Sequence, residues 1–212
     1  MNETILAVIS IVLMAYSIIL HEIAHGYAAL ALGDETALRL GRLTLNPLPH
    51  IDPFMTVLLP LMTYVMSNGT FIFGGAKPVP INPAVFRNPI RALALTAAAG
   101  PLTNFVIALV CVGLVRIAYI APDHSINQAI FIQLAILNAF LGVFNLIPVL
   151  PLDGGRVLTG LLPRNIAMVY ARTERFGILG VIVVILLLQT AGTLNFLFRY
   201  ILDAVAYLGG LR

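Results

Sequence analysis

Apolar positions in this chain come in long runs. From Ile5 to Leu20 the run is unbroken by any charge. It predicts a first helix from about Thr4 to Leu32, stopped near Gly33-Asp34. At about 1.5 Å per residue such a helix exceeds a hydrocarbon layer of about 30 Å. Arg91 to Val115 and Ile126 to Ile147 predict two further spans, and Phe176 to Leu188 another. Leu194 to Leu208 is a candidate weakened by Arg199 and Asp203. Ile51 to Met66 is apolar but short, and Pro53 and Pro60 interrupt it. It predicts a re-entrant or surface-lying element, or one that returns together with Thr70–Gly75. Thr36 to Leu45 alternates apolar and polar residues around Gly41, which predicts two short strands and a tight turn. That hairpin reads equally as plain surface or as an edge that takes an extended substrate by β-addition. Asn68 to Pro83 is rich in Gly and Pro and predicts loop or extended chain.

The predicted fold class is therefore an all-α polytopic membrane protein. It has about five to six transmembrane helices, a short β-hairpin, and a re-entrant or surface segment. A single membrane-embedded domain is expected over 1–212. It divides into a first helix (4–33), a hairpin and re-entrant region (34–88), core helices (90–116 and 126–150), a segment 151–163, and C-terminal helices (176–208). Composition agrees. Of 212 residues 60% are hydrophobic and only 10% charged, with a mean hydropathy of +0.99, where a soluble domain carries about 25% charged residues. The net charge is +3, and the twelve Lys and Arg are scattered, so no basic run speaks for nucleic acid. The single cysteine, Cys111, excludes an internal disulfide and a Cys-x-x-Cys metal site. The N-terminus does not read as a signal peptide, since Glu3 is the only charge before the apolar run.

Candidate chemistry sits where the first apolar run ends, at His21-Glu22-Ile23-Ala24-His25. On a helix, residues four apart share a face, so both imidazoles project one turn apart and suit zinc. Glu22 is turned about 100° away, poor as a ligand on that face but placed to take a proton from a metal-activated water. Ionisable groups within a span are costly and usually functional, which disfavours a merely structural pairing.

A catalytic zinc site generally takes three protein ligands. His50, His124 and the carboxylates are the candidates for the third, with Asp153 the best of them. It follows a long apolar helix, after Pro148 and Pro151 and before Gly154 and Gly155. Prolines break helices and glycines permit close approach. The alternative for Asp153 is a loop carboxylate beside Arg156 at the membrane surface. If Asp153 joins the histidines, an even number of crossings separates them. Arg39, Arg42, Lys77, Arg87, Arg91, Arg156, Arg164, Arg172 and Arg175 then share one side, with Arg116 opposite. The positive-inside rule makes the rich side cytosolic. That puts the N-terminus outside and the active site near the cytosolic face of the cell (plasma) membrane.

The motifs His21–His25, Ala97-Ala98-Ala99-Gly100-Pro101-Leu102-Thr103-Asn104-Phe105 and Asn145–Arg156 resemble the site-2 protease family, the intramembrane zinc metalloproteases. The stretch 74–83 (GGAKPVPINP) is similar to the small prokaryotic branch without PDZ or CBS domains. The resemblance implies His21, His25 and Asp153 as ligands of one Zn2+ per chain, and Glu22 as catalytic acid/base. It implies Asn104 and Asn145 near the site, holding substrate or stabilising an oxyanion. Their local alternative is to satisfy backbone groups freed by Pro101 or Pro148. The small residues Ala97 to Gly100 allow two helices to touch, which would seat the metal-bearing helix.

The expected function is an intramembrane zinc metalloendopeptidase that cleaves transmembrane segments of membrane protein substrates. Its partners are those substrates and the lipid bilayer, with no nucleic acid. With neither a PDZ-like insert nor a CBS-like extension, the chain is expected to lack such controls or to borrow them from a regulatory membrane partner, and a homo-oligomer is a further candidate partner. The rivals are a metal transporter, which would spread its ligands along several helices, and a catalytically silent helix-binding pseudoprotease.

Overall fold

The computed structural model describes residues 3–66, 68–69, 74–120 and 125–211. Its frame is three long helices, α1 (Glu3–Ala31), α4 (Pro89–Ile120) and α5 (Ser125–Asn145), with α4 packed on both α1 and α5. Each contains a stretch long and apolar enough to cross a membrane: Val8–Ala31, Pro89–Ile117 and Gln128–Asn145. Only 33%, 39% and 22% of their apolar windows is buried, so most of that surface faces outward. Lipid, not water, suits so much exposed aliphatic surface. α1 stops where the sequence predicts. Gly33 takes φ +100°, its N–H donates to Leu30 O, and the Asp34 N–H donates to Ala29 O, both at 2.9 Å. That closing geometry needs a residue at ease with positive φ.

The other apolar segments fall short of full spans. Pro53–Leu58 forms a π-helical turn that continues into α3 (Leu59–Met66), 14 residues in all, or about 21 Å at 1.5 Å per residue. Its predicted return with Thr70–Gly75 falls mainly outside the described residues. α8 (Gly177–Thr190) and α9 (Thr193–Leu208) meet at 77°, with Gly192 at φ +71° between them. Among the described residues three helices therefore qualify as spans, or four if this bent pair is one, against the five to six predicted. α9 closes a core made by Cys111, Val112, Leu134, Ala135, Ile201 and Val205.

The predicted hairpin is absent. Thr36–Arg39 is a short helix, α2, Gly41 turns at φ +63°, and no strand occurs among the described residues. Asp34 supplies the reason. Its Oδ1 accepts from both the Thr36 N–H (2.9 Å) and the Thr36 hydroxyl (2.5 Å), which bends the chain at its entry. The Glu35–Arg39 ion pair (2.8 Å) then spans one turn.

Extended chain appears instead at 74–82, and α1 and the 34–55 region fasten it. Gly75 N–H donates to Met55 O (3.0 Å) and Lys77 N–H to His50 O (2.8 Å). Arg42 donates to Lys77 O and Pro78 O (2.8 and 3.3 Å). Val79 N–H donates to Glu22 Oε2 (2.9 Å) and Asn82 N–H to Asp34 Oδ2 (2.7 Å). α6 (Asp153–Leu161) packs on α4 and leads into α7 (Arg164–Ala171).

Candidate metal centre

α1 presents His21 and His25 on one face, both buried. Their rings meet edge-on at 89°, and the two Nε2 atoms lie 3.0 Å apart. α6 brings the third group from 128 positions downstream of His25. Asp153 stands in its first turn, with Oδ2 3.2 Å from His21 Nε2 and 3.4 Å from His25 Nε2. The turn 146–152 and the start of α6 pack too closely for side chains. A Cβ on Gly154 would strike the Leu146 carbonyl, and one on Gly155 would lie 2.6 Å from Leu150 N. The prolines end α5 and the glycines let α6 fold back against that end, so the carboxylate points into the bundle.

Those three atoms fit a zinc ion. Tetrahedral ligands at about 2.0–2.1 Å from a metal stand about 3.3–3.4 Å from one another, close to the 3.0, 3.2 and 3.4 Å observed. His25 Nδ1 lies 2.8 Å from Thr96 O, and a carbonyl can only accept, so His25 carries its proton on Nδ1. His21 Nδ1 likewise faces an acceptor, Asn104 Oδ1, at 2.6 Å. In the neutral form of each ring this tautomer turns Nε2 toward the other Nε2 and the Asp153 carboxylate, so three potential metal-binding atoms converge on one point. Two imidazole nitrogens and one carboxylate oxygen make the donor set that a divalent cation such as zinc takes.

Gly100 of α4 makes the room. A Cβ there would come within 2.5 Å of His21 Cε1, His25 Cε1 and His25 Nε2. Glu22 is half-buried, with a carboxylate oxygen within 4.8 Å of a ring nitrogen of each histidine. Its Oε2 is held by Val79 N–H. Asn104 is wholly buried, with its carbonyl on His21 and its amide nitrogen donating to Asn138 Oδ1 (3.0 Å). It thus stands behind the imidazole. Asn145 is partly buried at the end of α5 and donates to Leu141 O (3.0 Å). Of the other candidate ligands, His50 bonds Thr44 O through Nε2 (2.9 Å), and His124 lies outside the described residues. Sequence reasoning did not find Thr96 or Val79. Both act through backbone atoms, which no residue type advertises. Asn138 did carry a signal, a polar residue within an apolar span.

The signature of Peptidase family M50 matches residues 112–188. YwhC of Bacillus subtilis, whose name makes it a candidate zinc metalloprotease, is 35% identical over 79% of this chain and 75% of its own length. The chain belongs to peptidase family M50. Other relatives of this M50 peptidase are Rip2 of Mycolicibacterium smegmatis and the zinc metalloprotease MJ0392 of Methanocaldococcus jannaschii. The first is 31% identical over 82% of this chain and 64% of its own length. The second is 26% identical over 78% and 38%. No solved structure matches the M50 peptidase.

Proposed function

We propose that this M50 peptidase, a zinc metalloprotease of the site-2 type, cuts membrane-spanning segments of other proteins. His21, His25 and Asp153 hold one zinc ion per chain, and Glu22 is the general base. The observation that carries this assignment is the convergence of His21 Nε2, His25 Nε2 and Asp153 Oδ2 within 3.4 Å of one another, beside Glu22. Zinc held by such a set lowers the pKa of water toward about 7 and polarises a carbonyl.

The chain's own groups do the rest. Val79 N–H pins one oxygen of Glu22, which leaves the other to take the nucleophile's proton and pass it to the leaving nitrogen. Asn104 orients His21 from behind. Asn145 keeps one amide hydrogen for a developing oxyanion, since its other goes to Leu141 O. A substrate helix must unwind before its carbonyls are open to attack, because helical backbone is bonded internally. The strap 74–82 offers such a strand little edge. Its Gly75, Lys77, Val79 and Asn82 N–H groups are already used, and residues 78 and 80 are prolines.

The membrane is the cell membrane, with the N-terminus outside and the centre toward the cytosol. Two facts support that orientation. Two candidate spans, α4 and α5, separate the histidines from Asp153, and nine of the twelve Lys and Arg then share the cytosolic side.

The test is cleavage of a model transmembrane peptide by purified protein in detergent. Wild type is expected to cleave, and to stop when zinc is chelated. Glu22→Gln is expected to abolish cleavage with zinc content nearly unchanged. Persistent cleavage by that variant refutes the assigned base. A wild type that binds zinc without cleaving is a silent pseudoprotease, and one that carries zinc across a liposome membrane is a transporter.

A further inference from the structure

Behind His21 runs a chain of polar side chains through the bundle. Asn104 of α4 donates through Nδ2 to Asn138 Oδ1 of α5 (3.0 Å). Asn138 Nδ2 donates to Ser17 Oγ of α1 (3.0 Å) and to Leu134 O (2.9 Å). Ser17 Oγ donates to Leu13 O (3.1 Å). Asn104 and Asn138 are fully buried and Ser17 is 4% exposed, so water has no access to the series. It starts on the helix that bears the histidines, crosses two others and returns.

The direction of this chain is fixed from its far end. Leu134 O is a carbonyl and only accepts, so the Asn138 amide nitrogen must face it. That leaves Asn138 Oδ1 toward Asn104, which must therefore donate through Nδ2. Asn104 Oδ1 is then turned to His21 Nδ1, which must carry the proton. In the neutral ring Nε2 is then the lone pair, beside His25 Nε2 and Asp153 Oδ2. Were Asn104 to flip, its N–H would meet Nδ1, push the imidazole proton to Nε2, and block coordination there.

We propose that Asn138 and Ser17 are positioning residues of the metal centre. Through Asn104 they hold His21 in the one tautomer and ring orientation that leave Nε2 for zinc. The inference rests on the zinc reading of His21, His25 and Asp153, but not on proteolysis. A second α1–α5 bond supplies the control. Ser10 Oγ donates to Gln133 Oε1 (2.8 Å) in the same helix interface, with no link to His21.

Zinc affinity is measured on the full-length protein in detergent by competition with a chelator. Absorption of the cobalt(II) form and 15N spectra of labelled imidazoles accompany it. Asn138→Leu is expected to weaken zinc binding by about 10- to 100-fold, to alter the cobalt bands, and to mix the His21 tautomers in the metal-free protein. Ser17→Ala is expected to act in the same direction and less. Gln133→Leu is expected to leave affinity and spectra as in wild type. Wild-type affinity in both Asn138→Leu and Ser17→Ala overturns the proposal, as does an equal loss in Gln133→Leu, which would mean general loosening of the interface. If Asn138→Leu does not fold, Ser17→Ala against Gln133→Leu decides alone. A wild type that binds zinc but cuts nothing ends the protease assignment and leaves this one standing, whereas a wild type that binds no zinc ends both.

Discussion

At the scale of single residues, space matters as much as chemistry. Gly100 sits where any side chain would strike both imidazoles, each locked from behind by Thr96 O or Asn104. Gly100→Ala is expected to cost about 1–3 kcal/mol in stability and to remove most of the bound zinc. Metal analysis of the purified, folded variant checks this, and full zinc occupancy would show that the rings can yield. Of the candidate site, the His pair one turn apart and the Glu beside it were legible from residue type and spacing, whereas Asp153, between helix breakers, stood against a surface-loop reading until the family resemblance favoured it. The small run Ala97–Gly100 was legible as a place of close approach, but not that its last member makes room for two imidazoles. Asn104 was legible as near the site. Its place behind His21 depends on Asn138, and that pairing joins two helices 34 positions apart in sequence.

At the scale of elements, local polar bonds overrode pattern. Alternation from Thr36 to Leu45 predicts strands, but alternation alone provides no partner strand, and the Asp34 carboxylate turns the chain into α2 instead. The same carboxylate holds the end of the strap through Asn82. Burial by itself would raise the Asp34 pKa, yet the hydrogen bonds from Thr36 and Asn82 outweigh it and hold the carboxyl below its ordinary 3.8. Its contribution is therefore complete above that ordinary value and is lost only as pH falls through the lowered one. Amide-exchange protection at Asn82 is expected to stay level from pH 7 down to about 4 and to fall only below it. Loss of protection already near pH 6 would show that some other group fastens the strap. The Pro/Gly content of Asn68–Pro83 predicts loop or extended chain, as 74–82 is, whereas the anchoring of that strap to α1 through Glu22 was not legible, because the partner is a main-chain N–H.

At the scale of the whole molecule, apolar run length separated the three long candidate spans from the shorter helices. α1, α4 and α5 match the predicted helices closely, while the shorter runs became α3 and the bent pair α8–α9. Run length cannot report a 77° bend, which depends on one backbone angle at Gly192. The proposed orientation is open to a direct check in a Cys111→Ser background. A cysteine replacing Arg116 is expected to react with an impermeant maleimide on intact cells, and one replacing Arg164 only after lysis. The reverse pattern would invert the topology. The centre also ties residue 21 to residue 153, across most of the chain, through three side chains that one metal ion would hold together. A ligand that binds only the folded chain stabilises it, so metal supply is expected to govern how long the protein survives in the cell as well as whether it works.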